Sequence, residues 1–206
     1  MLAAKKKSKV ASEQQRPAVI VARADFRTRA ATWLLEHMKW LDEMGSRLNL
    51  TRAYGRAAPG VRVVEYVPSD YGSNYTLLAA IGLDGVHAPW LLEGALDGAA
   101  WRVYVAEMLV PTLRPGDIVV LDNLATHKVA GIAELLSAVG ARLEFLPPYS
   151  PDFNPIEKCW SKIKNYLRKA KARTYEALVS ALKEALATIT ESDLRAWIKF
   201  CGYSIH

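Results

Sequence analysis

The chain has 206 residues, 51% hydrophobic and 23% charged, with 27 Lys and Arg against 21 Asp and Glu. That length suits one ordinary domain, or one with a short appendage, and buries roughly 70% of its unfolded surface, so no disulfide or structural metal is needed for stability. The composition excludes a disordered chain, no apolar run approaches the ~20 residues of a membrane span, and two isolated cysteines, Cys159 and Cys201, point to a reduced, cytosolic setting.

Residues 1–16 are polar and linker-like and carry Lys5, Lys6, Lys7 and Lys9, which read as a mobile basic tail. Pro17 to about Glu36 reads as a helix bearing Ile20, Ala24, Trp33 and Leu34, with Arg23, Arg27 and Arg29 on other faces. The grammar then changes to short strands. Met38 to Asp42 alternates weakly and stops near Gly45, and Val61–Val67 and Asn74–Ile81 are rich in β-formers. Asp84-Gly85 is a hairpin signal that leads into His87–Leu92, so the early part reads as an antiparallel meander.

From Gly98 the period lengthens. Trp101, Val105 and Met108 mark a helix ended by Pro111, and Leu113–Asp117 forms a turn. Ile118-Val119-Val120-Leu121 is a continuous apolar run, as a central strand covered on both faces requires. Ile132, Leu135, Leu136 and Val139 share one face of a helix closed by Gly140, and Arg142–Leu146 is the next strand, completing a right-handed βαβ unit. Helices follow from Asn154 to about Lys169 and from Thr174 to Ile189, the latter with Leu178, Leu182, Leu186 and Ile189 inward, and a short last helix starts after Ser192. The fold class is α/β: a mixed sheet, antiparallel meander followed by βαβ, flanked by helices.

The basic charge is local. Lys158, Lys162, Lys164, Arg168, Lys169, Lys171 and Arg173 fall within sixteen residues that contain no acid, and outside this stretch and the N-terminal lysines the chain is mildly acidic. The stretch is either a solvated helix face or a phosphate-binding surface.

Asp122 closes the apolar strand, where α/β proteins open into a ligand crevice, so it is either a turn residue or a site residue. His127, five residues on, is either an accessory group or a helix N-terminal residue. Four prolines between Pro147 and Pro155 stiffen the loop that delivers the next helix. Asn154 at the N-cap and Pro155 at N1 place Glu157 at N3, where it either completes a capping box or leads a stripe of Ser161, Lys164 and Arg168 beside the buried Ile156, Trp160, Ile163 and Leu167. No nucleophilic triad and no glycine-rich phosphate loop is present.

Asp122-Asn123 followed by a His, then Leu146-Pro-Pro-Tyr-Ser-Pro-Asp-Phe-Asn-Pro-Ile-Glu157, with 34 residues between Asp122 and Glu157, resembles the transposases of the mariner superfamily, above all their bacterial insertion-sequence branch, the IS-six-thirty family. The resemblance runs from about residue 12 to the C-terminus. It implies an RNase H-like catalytic domain over residues 38–206, after an N-terminal tail and linker helix over residues 1–37. It implies an Asp-Asp-Glu triad whose first member lies in Leu41-Asp42-Glu43-Met44-Gly45, ahead of Asp70, Asp84 and Asp97 as candidates. Asp42, Asp122 and Glu157 would then be both catalytic residues and ligands of Mg²⁺ or Mn²⁺, as two ions, while Lys158, Lys162, Lys164, Arg168 and Lys169 position DNA phosphates.

The activity implied is metal-dependent hydrolysis at transposon ends and strand transfer into target DNA. The partners implied are DNA, a second copy of the chain and, because no helix-turn-helix module precedes the linker helix, a separately encoded DNA-binding protein. The competing expectation is a truncated, non-catalytic DNA-binding or inhibitory remnant.

Overall fold

The computed structural model describes residues 11–69, 72–123 and 129–204. The N-terminal lysines, Asp70 and His127 lie outside the described residues. Among these residues no helix is long and apolar enough to cross a membrane.

The chain runs α1 (Pro17–Ala30), β1 (Met38–Ser46), β2 (Tyr75–Gly82), β3 (Gly85–Glu93), α2 (Gly98–Val103), β4 (Ile118–Leu121), α3 (Ile132–Ala138), β5 (Arg142–Phe145), α4 (Ile156–Ala170), α5 (Tyr175–Ala187) and α6 (Glu191–Phe200). The strands form one sheet in the order β3-β2-β1-β4-β5. β1 to β3 pair antiparallel, β4 lies parallel to β1, and β5 lies parallel to β4. This is the expected mixed sheet, a meander followed by a βαβ unit. A two-residue loop, Leu83-Asp84, joins β2 to β3, and Gly85 takes the positive φ (139°) that lets the strands turn tightly.

Side chains alternate between the sheet's two faces, and each face has its own core. Met38, Trp40 and Met44 of β1 and Ile118 and Val120 of β4 pack with α1, α4, α5 and α6. Leu41, Val119 and Leu121 face the opposite way, into a second cluster with Trp101, Tyr104 and Leu109 and with Ile132 and Leu136 of α3. Burial on both faces explains why β4 reads as four apolar residues in a row.

Four expectations are corrected. The first helix ends at Ala30 and buries Val19, Phe26 and Ala30, while Ile20, Ala24 and Leu34 are exposed. Phe26 supplies the larger apolar surface and stacks on Phe153 at 5.9 Å, which rotates the helix away from the Ile20 face. Val61–Val67 is no strand: Val61, Val63, Val64 and Tyr66 are exposed, and without a neighbouring edge or a core to cover them their β-propensity has nothing to act on. The helix after Gly98 becomes a π-helix over Tyr104–Leu109, so Tyr104, Val105 and Leu109 are buried and Met108 is half-exposed. The last helix starts at Glu191, earlier than expected, because Thr190 and Asp193 form a reciprocal capping box.

Candidate active site

Asp42 lies in β1, the central strand. The parallel register runs Met38↔Ile118, Lys39↔Val119, Trp40↔Val120; carried two residues further, past the end of β4, it would set Asp42 level with Asp122. Continuing the alternation along both strands assigns the two aspartates to the same face, the one covered by α4. Both are half-buried.

Glu157 stands in the first turn of α4, delivered by the proline-rich loop. The loop is held from outside. Arg23 of α1 bonds Ser150 and both oxygens of Asp152, Gln14 donates to the Tyr149 carbonyl, and the guanidinium carbons of Arg23 and Arg27 lie 4.1 and 4.6 Å from the Phe153 ring centre. From inside, the Tyr203 hydroxyl donates to the Phe153 carbonyl at 2.8 Å. Tyr149 takes a left-handed φ of 56° between these anchors, a conformation a bulky side chain adopts only when its surroundings hold it.

The capping-box alternative for Glu157 is not realised. The Glu157 N–H bonds the Asn154 carbonyl at 3.2 Å, but Asn154 Oδ1 is buried and accepts no hydrogen bond. The Glu157 side chain is exposed at the helix start.

The Glu157 charge reaches Asp42. Burial pushes the Asp42 carboxyl up to about 7, with the neighbouring Glu43 charge and then the Glu157 charge acting in the same direction. The Glu43 backbone N–H and the Trp160 indole N–H, the latter donating to Asp42 Oδ2 at 3.1 Å, oppose the rise without cancelling it. Trp160 is a residue that sequence reasoning placed in the buried stripe and nowhere else; a tryptophan one turn after a candidate ligand is the signal that was present.

The oxygen-rich, like-charged donor set fits a hard divalent cation, which relieves such repulsion. Among the described residues no three His, Cys, Asp or Glu side chains lie close enough together to form a ready metal cage.

The basic residues of α4 divide between two flanks. Lys164 and Arg168 follow Glu157 along its own face, and Arg168 bonds Asn165 at 3.2 Å. Lys158 and Lys169 lie on the other flank, with the Lys158 ammonium 3.9 Å from the Phe200 ring centre. Lys162 is committed internally, to Asp193 Oδ2 at 2.6 Å and the Thr188 carbonyl at 2.8 Å, so it ties α4 to α5 and α6. Arg173 is likewise structural, bonding the Leu48 and Leu50 carbonyls, and Lys171 pairs with Glu65.

A family model described as DDE superfamily endonuclease matches residues 37–179. No curated protein sequence matches the chain. Among solved structures it is similar to the Mos1 transposase paired-end complex with left transposon end (TM-score 0.74, 17% identity, covering 96% of this chain and 63% of that one). It is also similar to the mariner Mos1 paired end complex with Mg (TM-score 0.73, 17% identity, 97% and 65%) and to the catalytic domain of Mos1 mariner transposase (TM-score 0.59, 13% identity, 98% and 100%). The chain thus spans 63% of the transposase chain in the first of these complexes and all of the isolated catalytic domain. The shared architecture is the RNase H-like fold.

Proposed function

From the premise that the chain belongs to the DDE superfamily endonuclease family, we propose that it is the catalytic part of a DNA transposase that cuts at the ends of a mobile element and joins the freed ends to target DNA. The Leu41–Gly45 and Leu146–Glu157 motifs favour the bacterial IS-six-thirty branch of the mariner superfamily, acting on DNA in the cytoplasm. The observation that carries the reading is that the Glu157 charge, from the start of α4, reaches Asp42 of β1 and raises its pKa; strand alternation carried past β4 assigns Asp122 to the same face.

The assigned roles follow from position. Asp42 on β1, Asp122 just past β4 and Glu157 on the helix are the residues that would hold divalent ions. Mg²⁺ or Mn²⁺, as a pair, would supply charge stabilisation and an activated oxygen nucleophile for in-line displacement. The chain's own carboxylates fix the site's geometry, and no covalent protein intermediate is needed. Lys164 and Arg168 extend from Glu157 along the helix and neutralise phosphates of the bound strand without reading its sequence. Lys158 and Lys169 serve a neighbouring stretch of backbone. The Mos1 structures contain a transposon end, Mg or Mn, and this chain is assigned the same classes of partner. A separately encoded helix-turn-helix protein and a second copy of the chain complete the proposed assembly.

The test is a cleavage and strand-transfer assay on DNA carrying the sequences that flank the gene on either side, with Mg²⁺ or Mn²⁺. Asp122→Asn and Glu157→Gln should abolish product while nonspecific DNA binding persists. Undiminished cleavage by either variant refutes the triad. Absence of cleavage by the wild type, with and without the helix-turn-helix partner, favours the non-catalytic remnant.

A further inference from the structure

We infer that Trp160 is a positioning residue of the catalytic centre, its indole N–H fixing the orientation in which the Asp42 carboxylate would take a divalent ion. The inference rests on the metal-centre reading above and adds a residue to it.

An indole nitrogen is a donor only, so its contact with Asp42 Oδ2 at 3.1 Å has one polarity. It favours the ionised carboxylate, the form that binds a cation. The ring itself has little freedom: Trp160 is 2% exposed and packs in the cluster that includes Ile156 and Ile163 of α4 and Met44 of β1. A short acid on a strand retains rotational freedom at χ1 and χ2, whereas one pinned through one oxygen presents the second in one direction. Groups that orient metal ligands in this way commonly govern affinity as strongly as some ligands do.

The helix geometry gives the contact a second consequence. Glu157 and Trp160 are three residues apart on α4, hence neighbours on its surface. One helix therefore supplies a candidate ligand and the group that orients another candidate ligand on β1. Docking of α4 sets the relative placement of Asp42 and Glu157 through a side chain that touches neither substrate nor metal.

Calorimetric titration of Mn²⁺ into the full chain tests this. Trp160→Phe keeps the aromatic bulk and deletes the donor; its Kd for Mn²⁺ should rise about tenfold to a hundredfold. Ile163→Val thins the same buried stripe without reaching Asp42 and should keep the wild-type Kd. An unchanged Kd in Trp160→Phe, or an equal rise in both variants, overturns the inference.

On the wild-type protein the same contact is read from the Trp160 indole N–H resonance after ¹⁵N labelling. It should shift on adding Mg²⁺ and saturate with the calorimetric affinity for that ion, and a resonance blind to Mg²⁺ overturns the inference even if the variant fails to fold. Asp42→Asn separates the two levels. If it binds Mn²⁺ as tightly as wild type, the metal-centre reading itself falls; if it loses binding while Trp160→Phe does not, the positioning role alone falls.

Discussion

Arg23 of α1 grips Asp152 at two points, Nη1 to Oδ1 at 3.0 Å and Nη2 to Oδ2 at 2.7 Å, and so ties α1 to the loop that delivers Glu157. The same guanidinium covers the Phe153 ring and bonds the Ser150 hydroxyl. Fork geometry, stacking and a third hydrogen bond distinguish it from an ordinary surface ion pair.

Arg23→Lys should therefore behave as a disruptive change. It keeps the charge and loses the fork and the stacking, and is expected to cost about 1 kcal/mol in urea unfolding, since the Asp152 side chain is partly solvated. Cleavage should fall more steeply than stability, because the loop carries Glu157. An activity loss no larger than the folded fraction explains would refute that coupling.

Phe26 makes α1 part of the core. It is 2% exposed, stacks on Phe153 and meets Trp33 edge to face at 5.6 Å. Phe26→Ala should cost roughly 3–5 kcal/mol. Removing residues 1–37 strips the same cover from Phe153, so a chain beginning at residue 38 is expected to lose its cooperative thermal transition. A stable fragment 38–206 with wild-type Tm would show that α1 is dispensable to the fold of the remaining chain.

Lys39 offers a pH-dependent counterpart on β1 itself, on the face opposite Asp42. Its ammonium is buried and 2.5 Å from Asp84 Oδ1, and His87 lies 2.8 Å from the same oxygen. Burial alone would raise the Asp84 pKa, but the hydrogen bonds from Lys39 and His87, with their charges, win and hold it at about 2. A depressed folded pKa contributes stability that is complete above the unfolded value near ~3.9 and is lost as pH falls through about 2. Asp84→Asn should flatten that acid limb and, by leaving Lys39 buried without its counter-charge, cost roughly 2–3 kcal/mol at neutral pH. Lys39→Met in the Asp84→Asn background should recover most of the loss; urea midpoints from pH 2 to 7 decide both points.

The parts legible in the sequence are those governed by local periodicity. The apolar run at Ile118–Leu121 announces a doubly covered strand, because burial on two faces requires apolar side chains at every position. The hydrogen bond between Trp160 and Asp42 was not legible: the residues are 118 positions apart, and the bond exists because α4 docks over β1. The exposed Val61–Val67 segment failed for the converse reason, since β-propensity without a partner strand makes no strand. In α1 the apolar count favoured Ile20 and Ala24, yet a single aromatic stack between Phe26 and Phe153 outweighed it.

Lys162 and Lys164, two residues apart on one helix, separate structural charge from the charge proposed to face DNA. Each DNA phosphate left without its protein cation should reduce the slope of log K against log salt by about 0.9 for duplex DNA. Lys164→Ala and Arg168→Ala are each expected to lower the slope by about that amount, because both lie along the Glu157 face. Lys162→Ala should leave the slope unchanged and instead reduce stability, since it breaks the bond to Asp193 and releases the Thr188 carbonyl at the junction of α5 and α6. Filter binding of nonspecific duplex DNA between low and moderate salt, paired with thermal melts, distinguishes the two classes. A reduced slope in Lys162→Ala without loss of Tm would mean that its bridge to Asp193 opens when DNA binds.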